Sequence, residues 1–305
     1  MSQNDTWPRL PYEAWRDTAA TLHMWLQIVG KVALMQRPWV NHSWHVALRI
    51  TARGIGTGLL PHDANCFQID FDFVDHRLVL HVVDGRSVAL PLEPQTTANF
   101  YREVMRALQQ LGVPVTIRTM PCELPDPIPF ERDETHRSYD KEYANRYWRV
   151  LVQSQRVFEE FRARFIGKSS PVHFFWGGPD LAVTRFSGRT APPHPGGVPY
   201  LPDWVAREAY SHEVSSAGFW AGSEQSPEAS FYSYAYPEPA GFAASRVHPA
   251  DARYSDALRE FVLPYEAVRT ASAPRAALLE FLQSTYEAAA SLAKWPRDAL
   301  ERREA

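Results

Sequence analysis

The chain has 305 residues, 45% of them hydrophobic and 22% charged, with a formal net charge of −3. At that length a chain buries a large core without staples, and the small negative charge excludes a generic nucleic-acid binder, which carries a basic patch. Cys66 and Cys122 are the only cysteines, too few for a disulfide framework or a Cys-rich zinc site. No apolar run approaches the ~18 residues that suggest a membrane span. The polar segment from Met1 to Pro11 has no apolar stretch of the signal-peptide kind, so a cytoplasmic, reducing location is expected.

From Tyr12 to Gln36 the residues Trp15, Ala19, Leu22, Trp25, Leu26, Val29, Val32 and Ala33 recur at helical spacing. They predict an amphipathic helix, and Pro38 marks its end. His45 to Arg53 alternates as a strand. The glycines from Gly54 to Gly58 open no helix and lack a Lys-Ser/Thr tail, which argues against a phosphate loop. Phe67, Ile69, Phe71 and Phe73 alternate with polar residues, and Leu78, Leu80 and Val82 continue the phase. A hairpin turning at Asp75-His76 would set Phe73 opposite Leu78 and Asp70 opposite His81, a pair that reads first as a cross-strand charge contact.

Gln95 to Leu111 reads as a second helix and Val113 to Arg118 as a short strand. Met120 to Phe130 holds four prolines in eleven residues, so residues 120–130 are the boundary expected between two halves of one compact domain spanning 1–305. Lys141 to Ile166 predicts a long helix whose stripe of Tyr147, Leu151, Phe158, Phe161 and Phe165 is core. Arg246 to Val262 is expected to contain a short helix, and Pro274 to Lys294 a longer one begun by its proline. The fold class is α+β: mainly antiparallel β-sheet packed against long amphipathic helices.

The chemistry concentrates between Gly167 and Gly222. Val172 to Trp176 and Leu181 to Phe186 form a predicted hairpin around Gly177-Gly178-Pro179-Asp180, residues that tight turns use. With Trp176 opposite Leu181 and His173 opposite Thr184, alternation puts His173, Phe175, Thr184 and Phe186 on one face. Trp176, Val183 and Arg185 fall on the other. A third strand, Ala209 to Ser216, carries His212 and Glu213 on opposite faces. His173 and His212 are the candidate acid/base groups, with Glu213 or Asp180 to orient them. The same histidines with a carboxylate would also hold a divalent metal such as zinc or iron. The alternative for each histidine is a hydrogen-bonded core residue. Arg185 and Arg189 would grip an anion, with Trp176 and Trp220 as aromatic walls and the loop from Ala191 to Pro202 as a cover. No G-x-S-x-G, Walker A or dinucleotide fingerprint is present.

Two long signatures, Lys168 to Arg189 (KSSPVHFFWGGPDLAVTRFSGR) and Glu208 to Gly222 (EAYSHEVSSAGFWAG), are followed by FYSYAYPEP from Phe231 to Pro239. With NHSWHVAL (Asn41 to Leu48) and DETHRSYD (Asp133 to Asp140), the chain resembles, over nearly its whole length, a family of uncharacterised bacterial proteins, a domain of unknown function. The resemblance implies a bacterial cytoplasmic protein and carries no activity. The residues themselves lead to an expected enzyme acting on a small anionic molecule through a histidine-containing pocket. Its rivals are a non-catalytic small-molecule binder built from the same aromatic and arginine residues, and a scaffold with structural histidines. Neither nucleic acid nor membrane is an expected partner, and the oligomeric state is left open.

Overall fold

The computed structural model describes residues 6–224 and 226–302. Among them are seven α-helices and twelve strands in two antiparallel sheets, an α+β architecture. The N-terminal sheet holds β1 (Arg49–Ile50), β2 (Gly54–Gly56), β3 (Leu60–His62), β4 (Asn65–Asp72), β5 (Arg77–Val82) and β6 (Ser87–Pro91), in the order β1-β2-β4-β5-β6 with β3 also on β4. The C-terminal sheet holds β7 (His173–Phe175), β8 (Asp180–Thr190), β9 (His212–Trp220), β10 (Ser230–Tyr236), β11 (Arg253–Ser255) and β12 (Glu260–Pro264), in the order β11-β12-β10-β9-β8-β7. The helices are α1 (Arg16–Gln36), α2 (Thr97–Gln110), α3 (Lys141–Ala163), α4 (Asp203–Ala209), α5 (Tyr265–Thr270), α6 (Pro274–Leu292) and α7 (Arg297–Leu300). None is long and apolar enough to cross a membrane.

The first helix differs from its expected form. A one-turn 3-10 helix, Tyr12–Ala14, precedes it and the chain kinks at Trp15. From Met24 to Ala33 it is buried at every position, so it is a core helix and not a one-faced amphipathic one. Trp25 is wholly buried and stacks on Phe100 of α2 at 4.4 Å, a burial that contributes ~2–3 kcal/mol. Polar side chains start α2 and α3: Thr96 accepts from the Asn99 amide and Asp140 from that of Tyr143, satisfying amide donors that a helix start leaves bare.

The two sheets meet edge to edge. Leu48, just before β1, and Phe174 of β7 exchange both backbone hydrogen bonds, at 2.8 and 2.9 Å. The back face of the C-terminal sheet, with Leu181, Val183, Phe219, Phe231 and Leu263, is fully buried and packs against α3 and α6. Its front face is left to build a site.

Both hairpins close two residues away from the expected register. In the first, Phe71 pairs with Leu78 and Ile69 with Leu80, so Asp70 faces Val79 and His81 faces Gln68. The cause is Asp72, whose Oδ1 accepts from the amides of Val74 and Asp75 at 2.9 Å each and winds a four-residue turn. In the second, His173 pairs with Ala182 and Phe175 with Asp180. A shift of two leaves the paired side chains on their faces; Trp176, just beyond the end of β7, instead lines the same cavity as His173. His45 to Arg53 supplies only the two residues of β1, Val113 to Arg118 is irregular, and the expected helix within Arg246 to Val262 is the start of the β11–β12 ribbon. Both cysteines are free.

Candidate functional site

Alternation along the C-terminal sheet brings Asp180, Ala182, Thr184 and Phe186 of β8 onto the front face. Val214 and Ser216 of β9 and Tyr232 and Tyr234 of β10 join them. They floor a cavity of about 530 Å³. One wall is aromatic, with Trp39, His42 and Trp44 from the segment after α1. Lys31 of α1 and Cys122 and Glu123 of the proline-rich connector form another. The cover is the loop 191–202, through Val198, Tyr200 and Leu201, together with Trp204 of α4. A second cavity of about 630 Å³ adjoins it, lined by Trp220, Glu228, Arg253 and Glu260. The two share Glu123, Asp180, Tyr232 and Tyr234, so the Asp180–Tyr232 pair stands at their junction.

Two side chains one turn apart on α1 hold this junction. His23 Nε2 donates to the Gly177 carbonyl at 2.7 Å. Gln27 clamps Cys122, donating to its carbonyl at 2.9 Å and accepting from its amide at 3.0 Å. The connector and the β7–β8 turn are thereby pinned to one helix face. The Glu123 carboxylate lies against Gly177, where an added Cβ would have to displace it. Trp176 donates its indole N–H to the Val46 carbonyl at 2.8 Å and lies flat on α1 at Gly30, where a Cβ would overlap Cγ, Cδ1 and Cδ2 of the ring. Alanine in a helix interior ordinarily stabilises by about 0.5–1 kcal/mol. Here Gly30→Ala is expected to destabilise by about 1–3 kcal/mol through overpacking and to displace Trp176 from the cavity wall. Thermal melts with tryptophan emission check it; an unchanged melting temperature and spectrum would contradict the packing described.

The electrostatics single out carboxyl groups. Asp180 lines both cavities, and burial pushes its carboxyl up to about 7. The Tyr232 hydroxyl, donating at 2.5 Å, holds it down and nearby Glu123 pushes it further up. Glu123, an exposed residue that lines both cavities, has its carboxyl raised as well by the protein around it. Burial lifts Glu260 to about 7. Burial also raises the phenols of Tyr232 and Tyr234 well above the usual value, so both stay protonated as donors. Tyr234 and Tyr210 share a hydrogen bond of 2.7 Å and Thr184 and Ser216 one of 2.8 Å, continuing the polar floor. His173 is 2% exposed; burial, with Arg49 and Arg162 nearby, drives its imidazole down to about 3, so it is neutral at ordinary pH. Its ring lies edge-on to Phe175 at 4.6 Å. Burial pushes the Cys122 thiol up to about 11, which leaves it a poor nucleophile.

The residues expected at the site divide. His173, Asp180 and Trp176 line the first cavity and Trp220 the second. His212 begins β9 beside the cavity, its ring 5.8 Å from that of His42, with Ser211 Oγ at 3.0 Å from its Nδ1. Glu213 points elsewhere: its Oε2 accepts from Ser187 at 2.8 Å and from Arg189 at 2.7 and 2.9 Å. Arg189 also donates to the Ala293 carbonyl at 2.7 Å, tying the end of β8 to α6. Arg185 is on the back face, 1% exposed, its guanidinium 3.5 Å from the Phe161 ring and 4.3 Å from that of Tyr286, and it donates to the Phe161 carbonyl. Neither arginine lines the cavity, so neither is its anion holder. No group of three or more His, Cys, Asp or Glu placed to hold a metal occurs among the described residues, so His173, His212 and a carboxylate do not assemble as a ligand set.

Sequence reasoning passed over Lys31, His42, Glu123, Tyr232, Tyr234 and Glu260. His42 is held in the left-handed region, φ 58°, and its Nδ1 donates to the Ala209 carbonyl at 2.8 Å while Lys168 donates to its Nε2 at 2.7 Å. The alternating tyrosines of FYSYAY carry a visible signal, because residues i and i+2 of a strand share a face.

The model of the DUF5996 family, a family of unknown function, matches residues 7–302. The chain belongs to that family. No curated protein and no solved structure matches it.

Proposed function

We propose that the chain is an enzyme that takes a small, flat organic molecule into the aromatic cavity and moves a proton to or from it with Asp180. The anionic character expected of that molecule is part of the proposal. The observation that carries it is the junction itself. There one carboxyl, bonded to a phenol, faces two cavities and is surrounded by protein that holds it near neutrality. A group that titrates near the working pH both accepts and returns protons efficiently. Tyr232 stabilises the carboxylate form through its hydrogen bond, and the aromatic walls exclude water and orient a flat body. His173, with its depressed imidazole, serves as a neutral hydrogen-bonding group on the same face and not as the base. A reducing, cytoplasmic setting in a bacterium suits the two free thiols and the family resemblance.

A non-catalytic binding protein is the second reading. It draws on Cys122 and His173, both of which are silent near neutral pH. One experiment separates the two. The protein and its Asp180→Asn variant are each incubated with the small-molecule fraction of a bacterial extract, and both the solution and the material retained on the protein are read by mass spectrometry. The expected result is a compound consumed by the parent and retained unchanged by the variant, with turnover down about 10²–10⁴-fold. A compound retained and unchanged by both proteins would leave the binder as the better account.

A further inference from the structure

Lys31 lies in the C-terminal half of α1, 6% exposed, with Val29, Gly30, Val32 and Ala33 buried around it. Its side chain lines the aromatic cavity. Its ammonium makes no hydrogen bond or ion pair among the described residues and stands over the rings of Phe130 and Trp176, 6.0 Å from each centroid. Burial lowers its pKa, and Arg118 lowers it further. An unpaired cation held in a mostly apolar wall is destabilising unless an anion reaches it. Elsewhere the fold pairs its arginines densely, as with Arg53 between Asp72 and Asp75. Arg118, exposed at the rim of the same cavity, adds a second positive charge. Glu123 and Asp180 also line the cavity.

We infer that Lys31 is the anchor for the anionic group of the ligand, and that the ligand is a flat, largely aromatic monocarboxylate. This rests on the reading of the cavity as a small-molecule site and adds the class of molecule. The carboxylate would meet the Lys31 ammonium, with Arg118 reinforcing it, and the ring would lie among Trp176, Trp44 and Trp204. The far end would then reach the Asp180–Tyr232 junction. A dianion such as a phosphate monoester is disfavoured, because Lys31 offers a single buried positive charge to a ligand in this cavity. An ammonium ligand is disfavoured beside that charge, which repels it.

The test uses the full chain and matched pairs of probes: benzoate, 3-phenylpropionate and indole-3-propionate, each against its neutral primary amide. Binding is followed by quenching of tryptophan emission and by thermal shift. The expected result is that at least one acid binds ten-fold or more tightly than its amide. Lys31→Met should erase that preference while keeping the amide's weak affinity, and Lys31→Arg should retain it. Lys31→Met should also melt no lower than the parent, since it removes an unpaired buried charge. Equal binding of acid and amide by the parent, with both lost in Ser216→Trp, which fills the cavity floor, would overturn the Lys31 inference and leave the cavity reading intact. An acid preference that survives Lys31→Met would overturn it too. Failure of every probe to bind, acid or amide, would count against both.

Discussion

Asp180→Asn is expected to make the protein more stable than the parent above neutral pH and no different near pH 4. In the folded chain, burial raises this carboxyl from 3.8 to about 7. A folded pKa above the unfolded one means that the neutral carboxyl favours the fold. The contribution is complete below the unfolded value and is lost as pH rises through about 7. The gap of about three pH units corresponds to at most about 4 kcal/mol. Asparagine never ionises and its carbonyl oxygen still accepts from Tyr232, so the variant escapes the loss. Glu260, raised to about 7 by burial as well, makes the parent fall further, and Glu260→Gln should recover a separate share. Denaturant unfolding from pH 4 to pH 8.5 checks this. Parent and Asp180→Asn curves that run parallel across the range would contradict the buried, neutral carboxyl.

The second large effect has the opposite sign and a lower pH window. His173 is depressed from 6.5 to about 3 by burial, so its neutral form favours the fold. That stability is present above 6.5 and is lost as pH falls toward 3, because the unfolded chain takes up the proton first. By pH 4 the loss reaches about 3 kcal/mol. His173→Gln, which cannot be protonated, should lose that much less than the parent between pH 7 and pH 4. His23, lowered to about 4 by burial, remains in both proteins, so the variant's curve flattens without becoming level. An identical loss in parent and variant would show that His173 is not buried in its neutral form.

Much of the site's geometry was legible because strand alternation has a fixed period. His173, Phe175, Thr184 and Phe186 were placed on one face and Arg185 on the other from order alone, and the registers, although shifted by two, kept both assignments. Turn position was not legible, because it depends on which side chain wraps the turn. Asp72, capped onto two amides, moved the first hairpin and parted Asp70 from His81. The helix α4 was not anticipated, although Pro202 and Asp203 stand where a helix begins. Arg185 was misassigned because a guanidinium reads as a surface or ligand group, whereas here it is sandwiched between aromatic rings in the core. Glu123 sits in a segment with no periodicity at all, and it is held near Asp180 by the Gln27 clamp on Cys122 and by its own amide, which donates to the Pro199 carbonyl at 2.9 Å. Lys31 was visible as the one charge inside an apolar run. Long lysine side chains ordinarily carry their charge out to water, so the sequence gives no reason to expect it turned inward.

The central claim is that Asp180 is a carboxyl poised for proton transfer at a ligand cavity, and a direct measurement is its own titration. Carbon-13 NMR of aspartate-labelled protein, with the resonance assigned by its absence in Asp180→Asn, follows the side-chain carboxyl from pH 4 to pH 8.5. The account predicts a midpoint near 7 that moves when an aromatic carboxylate probe fills the cavity. A midpoint near 4, unmoved by any probe, would contradict it.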